Sequence, residues 1–168
     1  MINIINFTNI NVRGIISVIY LTEDIMKSGS LQPGLSHEFS FKVTENKTVP
    51  YLYPESQEFS MMPSVLATGY MVGLFEWVCI QAINPYIDWP REQTVGTHIN
   101  LSHEAATPAG LIVTVKVKLD AIEGRKLFFS IKADDGIDKI SEGTHERYIV
   151  LASKFNEKAK AKIISGKS

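Results

Sequence analysis

The stretch from Pro63 to Ile83, P-S-V-L-A-T-G-Y-M-V-G-L-F-E-W-V-C-I-Q-A-I, carries one charged side chain, Glu76. Wound as a helix, it is apolar on nearly every face. A helix of that kind is buried rather than laid on a surface. The rest of the chain must therefore supply what covers it. A carboxylate inside such a helix is costly unless it is paired or protonated. Glu76 is thus either a structural ion-pair partner or part of a functional site.

The stretch approaches the ~20 apolar residues that span a bilayer. It also holds Ser64, Thr68, Glu76 and Gln81, and amphipathic segments follow it. A buried core helix is therefore expected, with no membrane partner. A second apolar run, Ile15 to Leu21, has a short hydrophobic region, no basic segment before Arg13 and no small-residue cleavage site after it. Met26 offers an alternative start. We read residues 1–30 as an N-terminal extension and residues 31–168 as a single domain, the size that one core supports.

The other segments read as strands. Phe39, Phe41 and Val43 alternate within Leu35–Val43. Residues 48–62 hold two prolines and no clean period, so a structured loop with aromatic anchors is expected there. Pro63 suits the first turn of the helix, and Asn84-Pro85 its end. A polar loop from Asp88 to Gln93 leads to a strand over Val95–His103. Gly110–Ile122 is the clearest strand, with Val113, Val115, Val117 and Leu119 on one face and Thr114, Lys116, Lys118 and Asp120 on the other. A turn at Glu123-Gly124 leads into Arg125–Ala133, whose Leu127, Phe129 and Ile131 point inward. A second turn at Asp135-Gly136 precedes the last strand, Ile140–Leu151. Ser153 is the expected cap of a short Lys-rich C-terminal helix. Antiparallel strands joined by short turns and segregated from one helix make an α+β fold. One sheet wrapped around one long buried helix is the hotdog arrangement.

Titratable side chains in apolar surroundings are few: Glu76 in mid-helix, His103 at a strand end, and His145 with Arg147 two apart on one strand face. Each has an ordinary reading. Glu76 can be an ion-pair partner, His103 a surface residue, and Thr68 can bond its own backbone. Cys79 reads as core packing. It is the one cysteine, so no internal disulfide forms, and a reducing, cytoplasmic setting fits. The net charge of -1 does not point to a nucleic-acid partner. No zinc-ligand spacing is present, so no metal is expected.

Six strings in order carry a resemblance: T-V-P-Y-L-Y-P-E-S at 48–56, A-T-G-Y-M-V-G-L-F-E-W at 67–77, V-G-T-H at 95–98, S-H-E-A-A-T-P at 102–108, I-E-G-R at 122–125 and G-T-H-E-R at 143–147. Together they resemble the fluoroacetyl-CoA thioesterase family of hotdog acyl-CoA hydrolases, from about Leu35 to Phe155. The resemblance implies hydrolysis of a short-chain acyl-CoA, with coenzyme A as part of the substrate and no separate cofactor. It places the catalytic threonine, glutamate and histidine on Thr68, Glu76 and His103. The acyl-pocket glycine falls on Gly96 and the late arginine on Arg147. Where the family has a phenylalanine gate, this chain has Met62, which is more flexible. Phe59 belongs to the same loop, expected to cover the acyl pocket. The Gly69 amide, near the helix start, is a candidate oxyanion donor.

Two functional classes stay open: a thioesterase, or a non-catalytic hotdog module that binds acyl-CoA as sensor or carrier. Thr68 and Glu76 lie eight residues apart, about 12 Å along a helix axis. That is too far for both to touch one thioester carbon from one straight helix. A homodimer, or a dimer of dimers, with shared sites is therefore expected; a kink at Gly69 is the alternative.

Overall fold

The computed structural model describes residues 31–166; the expected extension over residues 1–30 lies outside them. Five strands form one antiparallel sheet: β1 (Ser36–Lys42), β2 (Glu92–Leu101), β3 (Ile112–Glu123), β4 (Lys126–Asp134) and β5 (Lys139–Leu151). Their order across the sheet is β1-β3-β4-β5-β2, so β1 and β2 are the edges. The short helix α1 (Gln57–Ser60) and the central helix α2 (Thr68–Ile83) lie between β1 and β2, and α3 (Ala152–Ser165) follows β5.

The alternation read from the sequence is the alternation of burial. Val113, Val115, Val117 and Leu119 of β3 and Leu127, Phe129, Ile131 and Ala133 of β4 are buried. They meet Met71, Leu74, Phe75, Val78, Cys79, Ala82 and Ile83 of α2. A fully buried side chain of this size contributes roughly 1.5–3 kcal/mol relative to exposure. This layer is what holds the helix on the sheet. Among the described residues no helix is long and apolar enough to cross a membrane.

Four expectations need correction. The helix begins at Thr68, not Pro63. The Leu66 amide donates to the Thr107 carbonyl (2.8 Å), the Ala67 amide to Lys47 (3.1 Å), and Val65 accepts from Val49 (2.9 Å). These long-range pairings hold residues 65–67 extended, overriding the local preference of Pro63. Ser153 does not cap α3; it lies inside it, because the chain turns from β5 into helix at Ala152. Glu92 is not a loop residue. It opens β2, is 3% exposed, and accepts from the Asp88 amide at 3.2 Å and from Arg125 at 3.5 Å.

The fourth concerns the helix itself, which is not covered on all sides. Thr68, Gly69 and Gly73 are exposed, Trp77 is 44% exposed, and the Glu76 side chain is 41% exposed. One sheet covers one side of a helix; on the other, residues of the 48–62 segment reach only its first turn, with Leu52 against Gly69.

Candidate active site

The site is built on the exposed side of α2, at two levels. The first is the helix start. Ala67 occupies the N-cap position in an extended conformation and offers no side-chain acceptor to the first-turn amides. Ser, Thr, Asp or Asn there would satisfy one of them and add about 1 kcal/mol. The helix start thus keeps first-turn N–H groups, Gly69 among them, at its positive end, where they suit a developing negative charge. The Thr68 side chain does not bond its own backbone. Its Oγ1 lies 2.8 Å from His103 Nδ1.

His103 is held there by its neighbours. The Ser102 amide donates to the Glu142 carbonyl (3.0 Å) and the Glu104 amide to Ile140 (2.9 Å). Ser141 Oγ donates to the Ser102 carbonyl at 2.8 Å. His103 therefore sits one residue from two backbone anchors on the start of β5, just past the end of β2.

The second level is two turns further along α2. Glu76 Oε1 lies against the α-carbon of Gly96: a β-carbon on Gly96 would come within 2.6 Å of it and within 3.1 Å of His145 Cε1. Glu76 Oε2 is 3.7 Å from Arg147 Nη1. Arg147 is 1% exposed, and each of its three nitrogens has a partner. Its Nε donates to Thr94 Oγ1 (3.0 Å), its Nη2 to the Thr94 carbonyl (2.7 Å), and its Nη1 to His145 Nε2 (2.9 Å). Burial lowers the pKa of both His145 and Arg147. Burial also pushes the neighbouring Cys79 thiol up to about 12, so Cys79 stays protonated near neutral pH and is packing rather than a nucleophile.

Thr68 and His103 thus meet, while Glu76 belongs to a separate cluster with Gly96 and Arg147. The shared face of His145 and Arg147 was readable from their spacing. Thr94 was not singled out; its only signal is its place two residues before Gly96, on the same side of an alternating strand.

The loop over residues 48–62 reaches the first level. Leu52 Cδ1 would be 3.1 Å from a β-carbon on Gly69, and the Tyr70 hydroxyl donates to the Tyr51 carbonyl at 3.0 Å. Phe59 packs against Tyr53, with ring centroids 5.6 Å apart. Met62, at the far end of the loop, is 52% exposed. A cleft of about 290 Å³ runs along α2, lined by Phe41, Leu66, Tyr70, Leu74 and Trp77 among others.

The Gly96 contact makes a direct prediction. Gly96→Ala displaces the Glu76 carboxylate, the flexible partner, rather than the strand. Turnover should drop roughly 10- to 100-fold, the effect of a misplacement near 1 Å at a reacting group, with the melting temperature little changed. Wild-type turnover in this variant would show that Glu76 does not work from the position seen here.

Residues 43–153 match the model of a family described as fluoroacetyl-CoA-specific thioesterase. A fluoroacetyl-CoA thioesterase from Streptantibioticus cattleyicolor is 48% identical over 141 residues, which make up 84% of this chain and 100% of that protein. A solved structure of a fluoroacetyl-CoA thioesterase superposes with a TM-score of 0.77 at 47% identity, covering 79% of this chain and 98% of that one. A variant solved with fluoroacetate and CoA gives 0.72 at 48% identity, over 74% and 99%. A hot-dog-like protein from Thermanaerovibrio acidaminovorans, 20% identical, shares the fold at a TM-score of 0.66, over 79% of this chain and 93% of its own.

Proposed function

This chain belongs to the fluoroacetyl-CoA-specific thioesterase family, and from that premise we propose that it hydrolyses short acyl-CoA thioesters, fluoroacetyl-CoA among them, to the free acid and coenzyme A. The observation that carries the reading is the pair of half-sites along α2. Thr68 meets His103 at 2.8 Å beside the unfilled helix start. Glu76 projects, partly open, from its seat on Gly96 and Arg147.

Thioester hydrolysis needs a carboxylate to attack or to activate water, a group that moves a proton, and donors for the oxyanion. Glu76 takes the first role and His103, in contact with Thr68, the second. The Gly69 amide, aided by the Thr68 hydroxyl, receives the carbonyl oxygen as negative charge develops on it. The carbon–sulfur bond then breaks and coenzyme A leaves as the thiol, its proton delivered by way of His103; water, added directly or to the acyl–Glu76 anhydride, supplies the hydroxyl of the acid.

The working unit in this reading is a homodimer. Two features support it: the apolar central helix has an exposed face holding Gly69, Gly73 and Trp77, and Glu76 stands about two turns from Thr68. A partner that brings its own helix face to this one covers the apolar surface and joins the half-sites. A cytoplasmic setting goes with it, since the buried thiol of Cys79 calls for no oxidising compartment.

The test is thiol release from a panel of short acyl-CoAs, including acetyl- and fluoroacetyl-CoA. Hydrolysis of at least one is expected. Binding of every member without hydrolysis of any would make the protein an acyl-CoA carrier or sensor instead. The same panel reports on the loop. Methionine bends and polarises where phenylalanine is rigid, so Met62→Phe should shift the ratio of kcat/KM values toward the smaller acyl groups. An unchanged ratio would remove Met62 from the selectivity of the site.

A further inference from the structure

We propose that His145 is a positioning residue, a neutral hydrogen-bond bridge from the β2 backbone that holds the Arg147 guanidinium against Glu76. The proposal rests on the reading of Glu76 and Arg147 as parts of the site. His145 is 1% exposed. Its Nδ1 lies 2.8 Å from the His98 carbonyl oxygen, and its Nε2 lies 2.9 Å from Arg147 Nη1. A carbonyl only accepts, so Nδ1 carries the proton. A guanidinium only donates, so Nε2 must present its lone pair. Both contacts together define one tautomer of the neutral ring. Burial, the largest cause, and the Arg147 charge lower the pKa of His145 against the opposing pull of the His98 carbonyl.

The bridge exists because of an irregularity in β2. Its pairing with β5 shifts between Gly96 and His98, leaving Thr97 as an extra residue. Thr97 Oγ1 donates to the Glu146 carbonyl at 3.2 Å. Such a bulge re-aims the groups beside it. Here it leaves Gly96 opposite Arg147, where Glu76 seats, and turns the His98 carbonyl onto His145. Thr94 takes two of the other guanidinium donors, at 3.0 and 2.7 Å. The fork is thus locked on two sides, and one edge remains for Glu76, at 3.7 Å.

The two ring nitrogens can be separated by substitution. His145→Gln puts an acceptor near the Nε2 position and gives up Nδ1. His145→Asn keeps a donor near Nδ1 and gives up Nε2. Both are polar and smaller than histidine, so both variants are expected to fold. With acetyl-CoA and fluoroacetyl-CoA as substrates, kcat should fall roughly 10- to 100-fold in His145→Asn, with KM changed far less. His145→Gln keeps the acceptor that faces Arg147 but loses the tie to the β2 backbone, so its loss should be clearly smaller than that of His145→Asn. If His145 acts through Arg147, its loss adds nothing once Arg147 is gone, so His145→Asn/Arg147→Met should match Arg147→Met. Nitrogen NMR of the folded protein should find Nδ1 protonated and Nε2 unprotonated at neutral pH.

Equal losses in the Asn and Gln variants, losses that multiply in the double variant, or a protonated Nε2 would each overturn the proposal. A wild-type rate in His145→Asn alongside a slow Arg147→Met would end this inference alone. A wild-type rate in Arg147→Met would instead remove Arg147 from the site, and the proposal with it.

Discussion

Glu76→Gln is expected to lower turnover by at least ~100-fold, the lower range for loss of a general base or nucleophile, with a nearly native melting curve. Glutamine keeps the volume of the side chain, so it still seats against the bare α-carbon of Gly96. It loses the negative charge and the basicity. The competing reading is that Glu76 serves only as the counter-charge of Arg147. That pair is loose: the separation is 3.7 Å and the Glu76 side chain is 41% exposed. The half-open carboxylate weakens the pair, while the burial of the Arg147 side chain, 2% exposed, makes it more than a surface pair. Arg147 keeps its bonds to Thr94 and His145 when the charge is lost. A structural role therefore predicts a drop in melting temperature with activity intact. Most of the wild-type turnover surviving in Glu76→Gln would leave only that role.

Mixtures of inactive variants should separate the residues into two complementation groups. Thr68→Ala and Glu76→Gln, each dead alone, should recover about a quarter of wild-type activity after subunit exchange. At random mixing half the dimers are mixed, and each of those has one of two sites intact. The contact between Thr68 and His103 within one chain adds the second half of the prediction. His103→Ala should complement Glu76→Gln in the same way, because a shared site would receive Thr68 and His103 together from the other subunit. It should not complement Thr68→Ala, because every site in that mixture lacks one of the pair. Silence from the Thr68→Ala and Glu76→Gln mixture, with exchange shown by a tag on one partner, would place both residues in one chain's site. Activity in the Thr68→Ala and His103→Ala mixture would mean that the two act in different sites despite their contact.

The strands were legible because a half-buried strand writes its two faces into alternate residues, as Val113 to Leu119 do. The central helix was legible because so long an apolar run has one stable place in a globular fold. Its start was not. Pro63 is a sound local signal, but whether residues 63–67 coil depends on Thr107 and Lys47, which reach them from other segments. Ser153 failed as a cap for a similar reason: the end of β5 decides where α3 begins. Glu92 looked like part of a polar loop because its partners, the Asp88 amide and Arg125, do not announce themselves in the sequence.

By itself the sequence determined the main strands and the central helix, the inward faces of β1, β3 and β4, the family, and the resemblance that singles out Thr68, Glu76 and His103 as candidates. All of these depend on local periodicity or on strings of neighbouring residues. Only the tertiary structure decided which of those residues meet. Thr68 joins His103 and not Glu76, the arginine fork closes on Thr94 and His145, and Gly96 serves as the seat of a carboxylate. Each of these contacts depends on strand register, on the bulge at Thr97 or on the helix's placement over the sheet. Those are set by packing the whole core at once, and a shift of one residue in register would turn the same side chains to the other face.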